Sequence, residues 1–184
     1  MPYDPDSHHR RSIRLRGYDY SQPGAYFVTI CTQGRECLFG QIVGQEMVPN
    51  EAGRMIDTWW HGLPQKFPHC NADAFVVMPN HIHGIIVIRD DIVGGDPCVG
   101  PDQRVRAQGA HGGARLPRIV QWFKTMTTNA YIRGVNERAW KGLAGRLWQR
   151  NYYEHIIRDE AAYLKIAEYI QTDPQRWQED TYHV

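Results

Sequence analysis

The segment that most narrows what this chain can fold into is His81-Ile82-His83-Gly84-Ile85-Ile86-Val87-Ile88, introduced by Pro79-Asn80. Its uncharged, branched body has strand character, and alternation along a strand puts residues i and i+2 on one face about 6.5–7 Å apart. His81 and His83 therefore share a face while Ile82 points the other way. A polar pair opening an apolar strand is costly to bury unless something satisfies it. Three readings follow: a metal site, a satisfied pair of core histidines, or a hydrogen-bonding site without metal. Two nitrogens completed by oxygen ligands, with open positions, suit Mg²⁺ or Mn²⁺ acting on a phosphate. Zinc would want a fuller set, and His69 and Cys70 supply no matching pattern.

The segments around this strand read as one domain. At 184 residues the chain is long enough for one domain with a sizeable core and short for two. Residues 1–22 form a basic arm, 23–177 a single domain interrupted by a Gly/Pro-rich insertion at 89–115, and 178–184 a tail. A first strand is expected over 25–32 and a short strand or hairpin arm over 38–43. Asn50 caps a helix whose apolar residues Met55, Ile56, Trp59, Trp60 and Leu63 recur at helical spacing, ended by Pro64. A strand over 72–78 precedes the histidine strand. A helix from about Pro117 carries Ile119, Val120, Phe123, Met126 and Ala130 on one stripe, with Lys124 outside it. A strand over 147–157 and a helix from Asp159 to about Thr172 close the domain. The order β–α–β–β–α–β–α implies an α+β, ferredoxin-like sandwich: an antiparallel sheet with helices on one face and the histidine strand central.

The last helix presents Tyr169 and Asp173 four residues apart, on the flank of the stripe Tyr163, Ile166, Ala167 and Ile170. A phenol and a carboxylate thus share the edge between core and solvent. Taken alone, an aromatic flank and a solvated Asp are the plainer reading, and Tyr152 and Tyr153 in the preceding strand are rivals to Tyr169. His155 on that strand is a candidate for positioning.

Charge enters locally, because the formal net charge is only +1. Arg10, Arg11, Arg14 and Arg16, followed by Tyr18 and Tyr20, combine cations with stacking surfaces that suit single-stranded nucleic acid. Lys124, Arg146, Arg150 and Arg158 extend that surface, and Arg104, Arg106 and Arg115 lie in the insertion. The four cysteines form no C-x-x-C pair, the start has no secretory pattern, and no apolar run approaches the ~20 residues that span a bilayer. A soluble cytoplasmic protein with reduced thiols is expected.

Arg11-Ser12-Ile13-Arg14-Leu15, Tyr18-Asp19-Tyr20, Tyr26-Phe27-Val28-Thr29, Val77-Met78-Pro79-Asn80-His81-Ile82-His83-Gly84, Trp148-Gln149-Arg150 and Glu168-Tyr169-Ile170 together resemble the single-tyrosine HUH transposases, and within them the REP-associated tyrosine transposases. The resemblance runs from about residue 10 to 177, broken by the insertion. It implies a ferredoxin-like endonuclease acting on single-stranded DNA folded into hairpins (REP-like palindromes), with His81 and His83 holding a divalent metal, Mg²⁺ or Mn²⁺. Tyr169 matches the nucleophile, which leaves a 5′-phosphotyrosine and a free 3′-OH. Asp173 falls where relatives often carry Asn or Gln as a third ligand, a departure toward a harder donor. Dimers with exchanged helices occur in the wider family, so monomer and dimer are both compatible. Competing functions are a catalytically inactive hairpin DNA- or RNA-binding module, a replication-initiator-like nickase, and a small metal-dependent hydrolase.

Overall fold

In the computed structural model, residues 22–89 and 115–183 are described; the expected basic arm, with Arg10, Arg11, Arg14 and Arg16, and nearly all of the insertion lie outside these residues. The strands are β1 (Gly24–Cys31), β2 (Gly40–Val43), β3 (Glu46–Pro49), β4 (Cys70–Val77), β5 (His81–Ile88) and β6 (Tyr153–Ile157). The helices are α1 (Glu51–His61), α2 (Leu63–Lys66), α3 (Arg115–Arg138) and α4 (Glu160–Thr172), the last continued by a 3-10 segment, Asp173–Glu179. β4, β5, β1 and β6 form one antiparallel sheet in that order, with the histidine strand inside it as expected.

Alternation sorts the sheet into two chemical faces. Tyr26, Val28, Ile30, Ile82, Ile86 and Ile88 meet Ile56 and Trp60 of α1 and Leu116, Ile119, Val120 and Phe123 of α3 in the main core. Phe27, Ile85 and Ile157 project the other way and meet Ile170 of α4. The α+β antiparallel sandwich with its two-helix layer is therefore present. The one-face expectation is refined by α4, which covers the opposite face because Tyr163, Ile166, Ala167 and Ile170 need an apolar partner and Phe27, Ile85 and Val87 supply it. Toward the end of that second face the apolar residues stop, and Thr29, Cys31, His81 and His83 take their places. The site is thus a polar continuation of a hydrophobic layer.

Local chemistry accounts for most boundaries. Asn50 accepts from Gly53 N at 2.9 Å and Asp159 from Ala162 N at 2.8 Å, so both expected caps form. β2 and β3 make a hairpin whose turn residues Gly44 and Gln45 have φ of 57° and 69°, the twist a two-residue hairpin turn favours. Pro64 does not end α1, which stops at His61; it sits in the first turn of α2, where its missing N–H costs nothing. The strand expected over 147–157 is regular only from Tyr153. Lys124 Nζ donates to the carbonyls of Gln149 (2.6 Å) and Arg150 (3.0 Å) and diverts them from a ladder. Residues 147–149 instead follow the far end of β1 through Gln33 N to Leu147 O and Gln149 N to Cys31 O. Among the described residues no helix is long and apolar enough to cross a membrane.

Gly84 follows the second histidine because Trp60 needs its space. A Cβ there would lie 2.3 Å from the Trp60 ring, which stacks on Phe75 with centroids 4.5 Å apart. Gly84→Ala is expected to lower unfolding stability by about 1–3 kcal/mol, read from urea denaturation.

Candidate functional site

The sequence sets up the site at the start of β5. Backbone alternation aims His81 and His83 at the second face, where the opposite residues of β1 are Cys31 and Thr29. Both imidazoles are almost fully buried, and their Nε2 atoms face each other at 3.0 Å. Their far nitrogens are held from behind: His81 Nδ1 lies 2.8 Å from Asn80 Oδ1, and His83 Nδ1 lies 2.7 Å from Thr29 Oγ1.

The tautomer of His81 follows from its neighbour. Asn80 Nδ2 donates to Arg35 O (3.1 Å) and Tyr182 O (2.8 Å), so the other amide atom is the oxygen, an acceptor. His81 Nδ1 must then carry the proton, which leaves the Nε2 lone pair aimed at His83. Burial holds His83 down to about 3, and burial also lowers His81. Neutral imidazole is the metal-binding form.

Two carboxylates close the cluster. Asp173, at the end of α4, places Oδ2 3.7 Å from Nε2 of both histidines. Asp180, just beyond the 3-10 segment, places Oδ2 3.5 Å from His81 Nε2. One donor atom from each of the four residues lies within 4.8 Å of the others. Burial raises both carboxyl groups, and neither Oδ2 atom, though buried, has a hydrogen-bond partner. Two nitrogen donors and two orphaned carboxylate oxygens at this spacing fit a hard divalent cation that keeps open positions, and burying them without one is costly.

Tyr169 reaches the same point from α4. Its hydroxyl is 3.4 Å from His83 Nε2, and its ring packs edge-on against Phe27, which stacks on His83. Burial, then the Asp173 and Asp180 charges, push the phenol well above its ordinary value.

Among the sequence candidates, His81, His83, Asp173 and Tyr169 are brought together. Tyr153 stays on the same face but half-exposed, edge-on to Phe27, and Tyr152 lies on the opposite face beside α3. His155 sits opposite Phe27 on the edge strand, exposed and outside the cluster. Lys124 is half-buried and held by carbonyls, while Arg150 is exposed beside it.

Asp180 was not anticipated, nor were Asn80 and Thr29 as supports of the ring nitrogens. Asp180 follows a 3-10 segment whose course is set by packing, for instance Trp177 stacked at 6.1 Å from His81. Asn80 could have been found, because an amide directly before a buried histidine is a ready second support.

No family model matches the chain. Among solved structures, that of a REP-associated tyrosine transposase bound to a REP hairpin matches 88% of this chain and 72% of its own, with a TM-score of 0.53 and 21% identity. The chain therefore shares its fold with that transposase, as the sequence resemblance implies. An "uncharacterized protein" of Haemophilus influenzae (strain ATCC 51907 / DSM 11121 / KW20 / Rd) is 44% identical over 184 residues, 99% of this chain and 97% of that one. The chain belongs to the family of that protein.

Asn80→Ala should weaken Mn²⁺ binding about 10- to 100-fold with the fold intact, measured by calorimetric titration beside circular dichroism. Asp180→Asn should also weaken it; unchanged affinity would remove Asp180 from the ligand set.

Proposed function

We propose that this protein is a divalent-metal-dependent endonuclease and transposase that cuts and rejoins single-stranded DNA beside hairpins through a covalent tyrosine intermediate. The observation that carries the reading is the 3.4 Å approach of the Tyr169 hydroxyl to His83 Nε2 within one chain. The Tyr169 hydroxyl lies beside the imidazole pair and the two carboxylates of the same chain, which supports Tyr169 as the nucleophile.

Tyr169 O gives up its proton to solvent and attacks the phosphorus, the bond to the 3′-oxygen breaks, and that oxygen leaves as a 3′-OH after taking a proton from solvent. The product is a 5′-phosphotyrosine, which keeps the energy of the broken ester, so rejoining needs no nucleoside triphosphate. His81, His83, Asp173 and Asp180 are the residues that would hold Mg²⁺ or Mn²⁺. When bound, such a cation polarises the scissile phosphate, neutralises the charge that develops on it and favours the phenolate. The chain's own contribution is orientation. Asn80 and Thr29 fix the imidazoles, while Phe27 packs between the Tyr169, Tyr153 and His83 rings.

The solved transposase of this fold is bound to a REP hairpin, which supports hairpin DNA as the partner here. The basic arm Arg10, Arg11, Arg14 and Arg16, with Arg150 on the surface, would contribute phosphate contacts. The site of action would be DNA in the cytoplasm, with one chain or two.

Tyr169→Phe is expected to bind a labelled hairpin substrate as wild type does and to form no protease-sensitive covalent adduct in denaturing gels. Cleavage by that variant, together with its loss in Tyr153→Phe, would transfer the nucleophile to Tyr153. His81→Ala should lose cleavage that added Mn²⁺ does not restore, and EDTA should abolish wild-type cleavage. Hairpin binding with no cleavage in any metal would leave a binding module.

A further inference from the structure

We infer that Thr29 is a two-way hydrogen-bond partner for His83. Its hydroxyl donates to Nδ1 while a hydrogen lies between the two imidazoles, and accepts from Nδ1 when a cation lies there. His83 therefore changes tautomer as the site fills, while His81 does not. This rests on the metal reading above and gives the two histidines different roles within it.

The hydrogens at the cluster can be counted. Asn80 Nδ2 donates to Arg35 O and Tyr182 O, so Asn80 Oδ1 can only accept from His81 Nδ1 at 2.8 Å. The His81 Nε2 lone pair then points at His83 Nε2, 3.0 Å away. Two lone pairs repel at that separation, so either a hydrogen on His83 Nε2 or a cation must lie between them. Burial holds His83 down to about 3, so its ring is neutral at ordinary pH and carries a single N–H. With that hydrogen on Nε2, Nδ1 is an acceptor and Thr29 Oγ1, 2.7 Å away, must donate to it. With Nε2 turned to a cation, the hydrogen sits on Nδ1 and Thr29 must accept it. A hydroxyl can do either, because it carries one donor and two lone pairs. The Asn80 oxygen on the other ring can only accept, so His81 keeps one tautomer throughout.

Position suits Thr29 to this role. It is the register partner of His83 across β1 and β5, where facing Cβ atoms lie about 4.5–5.5 Å apart. At 2% exposure it leaves no bulk water to stand in for the hydroxyl. Between the two states one proton leaves Nε2 to solvent and one is taken from solvent at Nδ1. The ring stays neutral, and the charge of the site changes by the cation alone. The change also reaches Tyr169, whose hydroxyl is 3.4 Å from His83 Nε2. That hydroxyl faces an N–H in the first state and a lone pair committed to the cation in the second.

The test uses the full chain with isotope-labelled histidine, because long-range proton–nitrogen spectra separate N–H from lone-pair ring nitrogens. In the metal-free protein His83 should carry its hydrogen on Nε2 and His81 on Nδ1. Saturating Mg²⁺ should move the His83 hydrogen to Nδ1 and leave His81 as it was. A His83 hydrogen on Nδ1 in both conditions overturns the inference, and these wild-type spectra decide it whether or not a variant folds. Thr29→Val keeps the branched shape without the hydroxyl; calorimetric titration should show Mn²⁺ affinity about tenfold weaker, with circular dichroism unchanged. Thr29→Ser, which restores the hydroxyl, should bind within about twofold of wild type. Equal weakening in Thr29→Ser, or none in Thr29→Val, would make Thr29 a packing residue only and overturn the inference. Failure of wild type to bind either cation would defeat the metal reading and this inference together. Cation binding by wild type with the His83 hydrogen unmoved would defeat this inference alone.

Discussion

Two imidazole nitrogens face each other 3.0 Å apart in a buried pocket, and at least one of them must present a lone pair. Everything around them manages that confrontation. The Asn80 amide, fixed by two backbone carbonyls, holds the His81 proton on the far side of the ring. Asp173 and Asp180 then add buried oxygens with no hydrogen-bond partner. A folded protein rarely leaves so many acceptors facing one point, because each costs desolvation without return. The four side chains could be satisfied together by one metal ion.

In the proposed reaction the same cluster would act on the phenol. Left alone, a tyrosine surrounded by carboxylates is a poor nucleophile, since burial and negative charge both hold its proton in place. A cation held there would reverse the sign of that environment. The fold supports this by economy of geometry. α4 packs on the second face of the sheet through Ile170, and that docking carries the neighbouring Tyr169 to His83. Asp173 follows one helical turn later.

Much of this was legible because it rests on local periodicity. Strand alternation put His81 and His83 on one face, and helical spacing stacked Tyr169 with Asp173. Asn50 and Asp159 announced two helix starts through their capping chemistry. Other features were not local. The regular strand begins at Tyr153 rather than Leu147 because a lysine on a distant helix takes two of its carbonyls. Asp180 joins the cluster because the segment after α4 folds back over the histidines, and acidic residues near a chain end carry no spacing signal for that.

By itself the sequence determined the elements and the chemical character of their faces: a central histidine strand, and a helix offering a phenol and a carboxylate. The tertiary structure alone decided that α4 would sit across the sheet from α1 and α3, and that the later carboxylate would return to the same cluster. The physical reason is reach. Side-chain periodicity acts over a few residues, whereas these placements depend on which buried surfaces, far apart along the chain, fill one another.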